Sequence, residues 1–200
     1  VWQMENDAAE EALGELMRLS LLDFELCTTG EGGRYRLHDL ARDFAESFLN
    51  STVRDHARMC HARHYQKLLL ETNDLFLQGK DYLIIGLILF DIDWINIESG
   101  QKWASENKFK SNEIADICSN FAWAGNMLNL RLHPRRYIQW LEESLVAARK
   151  INNQNAESAH LGNLGLAYSH LGDTQKALDY FEQSLEISRM IGDNKSELNC

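Results

Sequence analysis

The chain has 200 residues, of which 20 are basic and 30 acidic, a formal net charge of -10, with 44% apolar and 10% aromatic content. That length allows one large domain or two small ones with a sizeable core, and the acidity disfavours a nucleic-acid backbone or an anionic membrane as the main partner. Pro134 is the only proline, so little interrupts helices and the expectation is α-rich.

In chain order, Leu13, Leu16, Met17 and Leu19 recur at helical spacing over 8–19 and predict a helix ended by Ser20. Leu21 to Leu26 reads as a strand, and the cluster Thr28-Thr29-Gly30-Glu31-Gly32-Gly33 as a turn. Arg34-Tyr35-Arg36-Leu37 alternates polar with apolar, which predicts a β-hairpin. From Asp39 the period becomes helical again, with Leu40, Phe44, Ala45, Phe48 and Leu49 on one side. Helix, hairpin, helix in so short a span suggests the latter part of a winged-helix unit.

Beyond Asn50 the pattern predicts helices throughout. One runs over 53–71 with Ala57, Cys60, His64, Leu68 and Leu69 near one face. Asp81 is positioned to cap the next, which carries the apolar run Tyr82 to Phe90. A further helix over 93–107 has Trp94, Ile97, Trp103 and Ala104 as core candidates. Helices over 112–132 and 134–151 follow, with Pro134 suited to a first helical turn.

Internal repetition is the strongest pattern. Trp140-Leu-Glu-Glu-Ser-Leu145 returns as Tyr180-Phe-Glu-Gln-Ser-Leu185, an offset of 40 that also aligns Gly125 with Gly165, Arg149 with Arg189, Ile151 with Ile191 and Glu157 with Glu197. Helix pairs stacked at a fixed period bury their faces against their neighbours and build a solenoid.

The four cysteines, Cys27, Cys60, Cys118 and Cys200, are scattered without a Cys-x-x-Cys pair, the pattern of reduced thiols in a cytoplasmic protein. Val1 to Glu11 is acidic and lacks the regions of a signal peptide. The apolar run is interrupted by Gly86, bounded by Asp81 and Asp91, and well short of the roughly 20 residues of a membrane helix. The chain lacks an initiator Met and stops at Cys200 in mid-pattern, so a fragment of a longer protein is expected.

Leu161, Leu164, Gly165, Tyr168, Gly172, Ala177, Phe181 and Leu185 resemble a tetratricopeptide repeat over 158–191. Gly165 and Ala177 allow two helices to approach, Tyr168 and Phe181 fill the space beside them, and Gly172-Asp173 supplies a helix stop and an N-cap. Leu13-x-x-Leu16, Leu21-Leu22 and Gly33-Arg-Tyr-Arg-Leu-His-Asp-Leu-Ala-Arg-Asp-Phe44 resemble the winged-helix segment of the signal-transduction ATPases with numerous domains (STAND), which include the NB-ARC proteins. Phe90-x-x-x-x-Ile95-Asn96 leading to Trp103-Ala104 resembles the helical connector of bacterial members. In that family a Met-His-Asp motif closes the nucleotide pocket. The resemblance therefore implies that His38, within Leu37-His38-Asp39, faces the β-phosphate of bound ADP in an intact parent, and that Asp39 holds the local helix start. ADP or ATP with Mg would be the parent's cofactor, and its NTPase domain an intramolecular partner of this region. A histidine at a helix N-terminus can donate to an anion; the plainer role of His38 is to end the hairpin.

No Gly-x-x-x-x-Gly-Lys-Ser/Thr occurs: Gly79-Lys80 is followed by Asp81, and Asp74 occupies the first glycine's place. The chain itself is therefore expected to hold no cofactor and to hydrolyse no ATP. His56, Cys60 and His64 share one helix face, but three residues on a straight helix rarely surround a tetrahedral zinc, so no metal is expected. Asp91 and Asp93 read as caps or solvated charges rather than a catalytic pair. No Gly-x-Ser-x-Gly elbow is present, and no catalytic residue is assigned. Arg34, Arg36, Arg42 and Pro134-Arg135-Arg136 are the nearest to basic patches, diluted by Glu31, Asp39, Asp43 and Glu46, so nucleic acid is disfavoured. In a repeat groove Asn163, Leu166, Ser169 and His170 are the candidate partner-binding residues, with Gly162 beside them. The lysine of a carboxylate clamp is missing, and packing of a next repeat would also account for Gly162 and Leu166.

The expectation is an all-α architecture with one small β-hairpin: a partial winged helix over 1–50, a helical connector over 51–110, and tetratricopeptide-like repeats over 111–200. The expected function is non-catalytic and regulatory, the repeats binding a protein or peptide partner or inducer and the winged helix latching an NTPase domain. The alternative is a winged-helix transcription regulator with a repeat sensor.

Overall fold

The computed structural model describes residues 6–26 and 33–192. Cys27, the predicted turn residues Thr28 to Gly32, Glu197 and Cys200 lie outside the described residues. The chain divides into two compact units, Val1–Cys60 and His61–Cys200. Among the described residues the architecture is all-α apart from one two-stranded antiparallel sheet.

In the first unit, α1 (Asn6–Arg18) is followed by β1 (Leu22–Leu26), β2 (Gly33–Leu37) and α2 (Asp39–Phe48). The hairpin pairs Leu22 with Leu37 and Phe24 with Tyr35. The period-2 alternation therefore sets Phe24 and Tyr35 side by side, with ring centroids 4.9 Å apart. α2 has its apolar residues at the expected spacing, and Phe44 meets Phe48 at 4.7 Å. None of its residues is buried, however, and Leu40 is 85% exposed. The amphipathic pattern dictated the helix without supplying a cover for its apolar side. The Arg54 guanidinium donates to the carbonyls of Glu46 and Leu49 at 3.0 and 2.9 Å, satisfying acceptors that the end of α2 leaves open.

The division between units falls within α3 (Ser51–Gln78), whose first turn is capped by the Asn50 carboxamide accepting from the Val53 amide. Its buried positions are Ala62, Gln66, Leu69, Thr72 and Asn73. Leu69 of the predicted face is buried, but His64 is exposed and Cys60 half-buried; Thr72 and Asn73 are buried in their stead, their side chains hydrogen-bonded to the Leu69 carbonyl and the Met127 amide. α4 runs unbroken over Lys80–Asn107, where two helices were expected. Gly79, at φ 72°, is its N-cap, and Asp81 lies in the first turn, where its charge complements the helix dipole. Gly86 does not interrupt the helix but lets it approach α3: a Cβ there would lie 2.6 Å from the Thr72 carbonyl oxygen. Asp91 and Asp93 are mid-helical rather than caps. Asp91 pairs with Arg131 at 2.6 Å, and Asp93 is buried.

The remaining helices are α5 (Asn112–Phe121), α6 (Gly125–Arg131), α7 (Pro134–Lys150), α8 (Gln154–His170) and α9 (Thr174–Ile191). Ser111, Asn153 and Asp173 cap α5, α8 and α9 with side-chain oxygens, and Pro134 opens α7. The predicted helix over 112–132 is two, separated at Ala122–Ala124.

The repeat is visible in hydrogen bonds as well as in sequence. The Ser144 hydroxyl of α7 donates to the Cys118 carbonyl of α5 at 3.0 Å, and the Ser184 hydroxyl of α9 donates to the Ser158 carbonyl of α8 at 2.8 Å. Both donors and both acceptors are related by the 40-residue offset. Gly165 packs against Phe181, whose ring carbons would lie 2.6 Å from any Cβ, while a Cβ at its counterpart Gly125 would lie 2.9 Å from the Tyr137 hydroxyl. Burial of Ile117, Phe121, Leu141, Leu145, Leu161 and Leu164 makes a continuous core across α5, α7 and α8.

Candidate partner-binding groove

The break after α5 sets α6 beside α8, and the concavity between them has a volume of about 400 Å³. Its lining comes from Trp123, Gly125, Asn126 and Asn129, from Tyr137 at the start of α7, and from Asn163, Leu166, Ala167 and His170 on α8. The structure thus brings together Asn163, Leu166 and His170 from the expected set and leaves Ser169 off the lining. At the repeat offset Trp123 corresponds to Asn163 and Asn126 to Leu166. Equivalent positions of successive repeats therefore form the two walls.

A residue outside the groove holds one wall in place. The Asn73 carboxamide oxygen, buried on α3, accepts from the Met127 amide at 3.2 Å. Met127 lies in the first turn of α6, where a backbone N–H has no intrahelical acceptor. Asn73 therefore acts as a cap supplied from another helix, and it ties the start of α6, with Asn126, to α3. Gly125 is the one helix-weakening residue local to this break; the acceptor that completes it, Asn73, is one of three polar residues on the buried face of α3.

Behind the groove, His160 is fully buried. Its Nε2 is 3.1 Å from the Ser119 hydroxyl, its Nδ1 has no hydrogen-bond partner among the described residues, and its ring lies 5.4 Å from that of Trp123. Burial pushes its pKa down to about 4, against the smaller opposing effect of the hydrogen bond to Ser119. Burial likewise raises the Tyr137 phenol and the Cys118 thiol, each to about 12. Neutral at ordinary pH, these groups shape the groove and the core beneath it without adding charge.

Lys108 and Glu143 form a largely buried ion pair between the segment after α4 and α7. Burial alone would raise the Glu143 carboxyl, but hydrogen bonds from Lys108 and Ser105 with the lysine's charge hold it below its usual value. On the second repeat, Lys176 lies 4.9 Å over the Tyr168 ring, which stacks on Tyr180 at 5.5 Å.

His38 is half-exposed at the N-cap of α2, its amide donating to the Leu21 carbonyl at 3.1 Å and its Nε2 3.6 Å from Asp23. Asp39 follows in the first turn and pairs with Arg42 at 3.1 Å. His56 Nε2 is 3.6 Å from the Cys60 thiol one turn along α3. No group of three or more metal-ligating side chains converges among the described residues. None of the described helices is long and apolar enough to cross a membrane.

This stacked-helix-pair arrangement agrees with the sequence comparison, in which residues 138–190 match the tetratricopeptide repeat family. That stretch takes in most of α7 and all of α8, and reaches nearly to the end of α9. The chain is also 33% identical over 179 residues to Response regulator aspartate phosphatase A of Bacillus subtilis (strain 168), an alignment covering 85% of this chain and 47% of that protein. The chain thus spans about half the length of this relative.

Proposed function

We propose that this region is a non-catalytic protein-interaction module of a regulatory protein, and that its repeats hold an extended segment of a partner in the groove between α6 and α8. The observation supporting this is the lining itself. Asn126, Asn129 and Asn163 stand in one concavity with Trp123, Tyr137 and Leu166. Each carboxamide offers a donor and an acceptor, the complement of a peptide backbone. The aromatic and leucine side chains supply apolar contact area for the partner's side chains. His170 is the only titratable lining residue besides Tyr137, so no carboxylate clamp is built.

The test is a display-selected peptide titrated against the full chain by fluorescence anisotropy. Asn163→Ala and Leu166→Asp each weaken binding at least tenfold, while Lys150→Ala on the far end of α7 leaves it unchanged. Selected peptides that bind all three variants equally would refute the groove assignment.

Two parent settings fit such a module. The first is the nucleotide switch, with a winged-helix segment latching an NTPase domain through His38 and Asp39, ADP or ATP with Mg as the parent's ligand, and a cytoplasmic setting. Supporting it are the helix–hairpin–helix order and the half-exposed His38 at a helix start. The second is control of a response regulator, favoured by the likeness to a protein named for aspartate phosphatase action on such a regulator. In a longer protein carrying this region, His38→Ala accelerates ADP release under the first. Under the second, that variant leaves ADP handling unchanged and the protein shortens the lifetime of a phosphorylated receiver domain.

A further inference from the structure

In its first half, α4 is apolar on more than the side it buries. One face approaches α3 at Gly86. A second carries Asp91 and Glu98, which pair with Arg131 and Arg136, and Trp94, beneath the Arg136 guanidinium. The third is exposed, and on it Ile85, Ile88, Ile92 and Ile95 follow one another at the alternating spacing of a coiled-coil seam. Ile95 is 78% exposed and Ile88 42%. A helix apolar on so many sides is ordinarily buried.

Ile84 and Leu89 adjoin this stripe and are 57% and 38% exposed, so the open apolar surface is contiguous, the kind of patch that marks an interaction site.

We infer that this face is a self-association surface, on which the α4 helices of two copies pair antiparallel. Continuing the seam spacing outward reaches exposed Asp81 at one end and exposed Lys102 at the other. An antiparallel two-fold arrangement with its axis at the level between Asp91 and Ile92 sets Ile88 against Ile95 of the second copy and Asp81 against its Lys102, at both ends. A parallel pair would instead oppose aspartate to aspartate and lysine to lysine. Opposite charges across a helix pair select orientation even where they add little affinity. The same surface patch on both copies is what a two-fold dimer requires.

Sedimentation equilibrium on the full chain from 1 to about 100 µM tests the inference, with protein concentrations of that order set by the affinity of ordinary dimers. The expected result is a monomer–dimer equilibrium that Ile88→Glu with Ile95→Glu weakens at least tenfold, while circular dichroism and the thermal midpoint at low concentration stay as in the parent chain. Asp81→Lys alone weakens the dimer, and Asp81→Lys with Lys102→Asp restores it. A chain that is monomeric throughout overturns the inference, as does a trimer or tetramer. Dimerisation untouched by the isoleucine substitutions places the contact elsewhere. Tightening by Asp81→Lys alone overturns the antiparallel geometry.

Discussion

The sharpest consequence of the buried imidazole is a pH dependence of stability that belongs to one residue. His160 is enclosed between α5 and α8, with Nε2 on the Ser119 hydroxyl. Its folded pKa of about 4 lies below the 6.5 of a free histidine. The folded state therefore favours the neutral ring. The unfolded chain binds the proton more readily, so stability is complete above pH 6.5 and falls as the pH drops toward 4. A shift of that size corresponds to about 3 kcal/mol once both states are protonated, and to about 2 kcal/mol at pH 5. His160→Gln keeps a polar group near Ser119 but cannot titrate. Urea unfolding of both proteins between pH 7.5 and 4.5, followed by circular dichroism, gives the difference curve. Burial also lowers the pKa of His61 and His64, but both are present in each protein and cancel in that difference. The parent chain loses about 2 kcal/mol more than the variant on going from pH 7.5 to pH 5. Parallel pH profiles would refute the reasoning, since they would mean that His160 titrates normally in the fold.

Three further predictions test how the groove and its supports are built. Asn73→Leu leaves the Met127 amide without its acceptor, costing about 1–3 kcal/mol; hydrogen exchange at that amide accelerates more than in α8, and equal acceleration in both would argue against a local cap. Gly165→Leu drives a side chain into the Phe181 ring and costs at least about 1–3 kcal/mol in thermal or urea unfolding, whereas Gly162→Ala, whose Cβ meets only Ser184 Oγ at an ordinary 3.5 Å, costs little or stabilises α8 by helix propensity. Lys108→Met removes one member of the ion pair with Glu143. Because Glu143 keeps partial solvent access, the loss falls between the ~1 kcal/mol of an exposed pair and the ~3–5 kcal/mol of a fully buried one; adding Glu143→Leu recovers part of it, and no recovery would show that the lysine stem's packing mattered more than its charge.

The sequence by itself determined the helical class, the hairpin and the repeat. Each rests on information carried by neighbouring residues or by the chain's own recurrence: alternation in Arg34 to Leu37, the stop and cap at Gly172-Asp173, and the 40-residue spacing of Gly125 and Gly165. Asn163, Leu166 and His170, expected on a concave face because a recurring helix pair dictates which of its faces can be concave, line one wall of the concavity. The opposite wall was not legible in the sequence. Ala122 and Ala124 are good helix formers, and the chain breaks between α5 and α6 where Asn73 reaches across from α3 to hold the Met127 amide. The continuity of α4 was hidden for a similar reason: Asp91 looks like a cap until Arg131, 40 residues later, neutralises it in mid-helix. Local propensity sees the donors and acceptors of one segment at a time. Which distant group satisfies them is decided only when the helices pack, and here that choice made the groove.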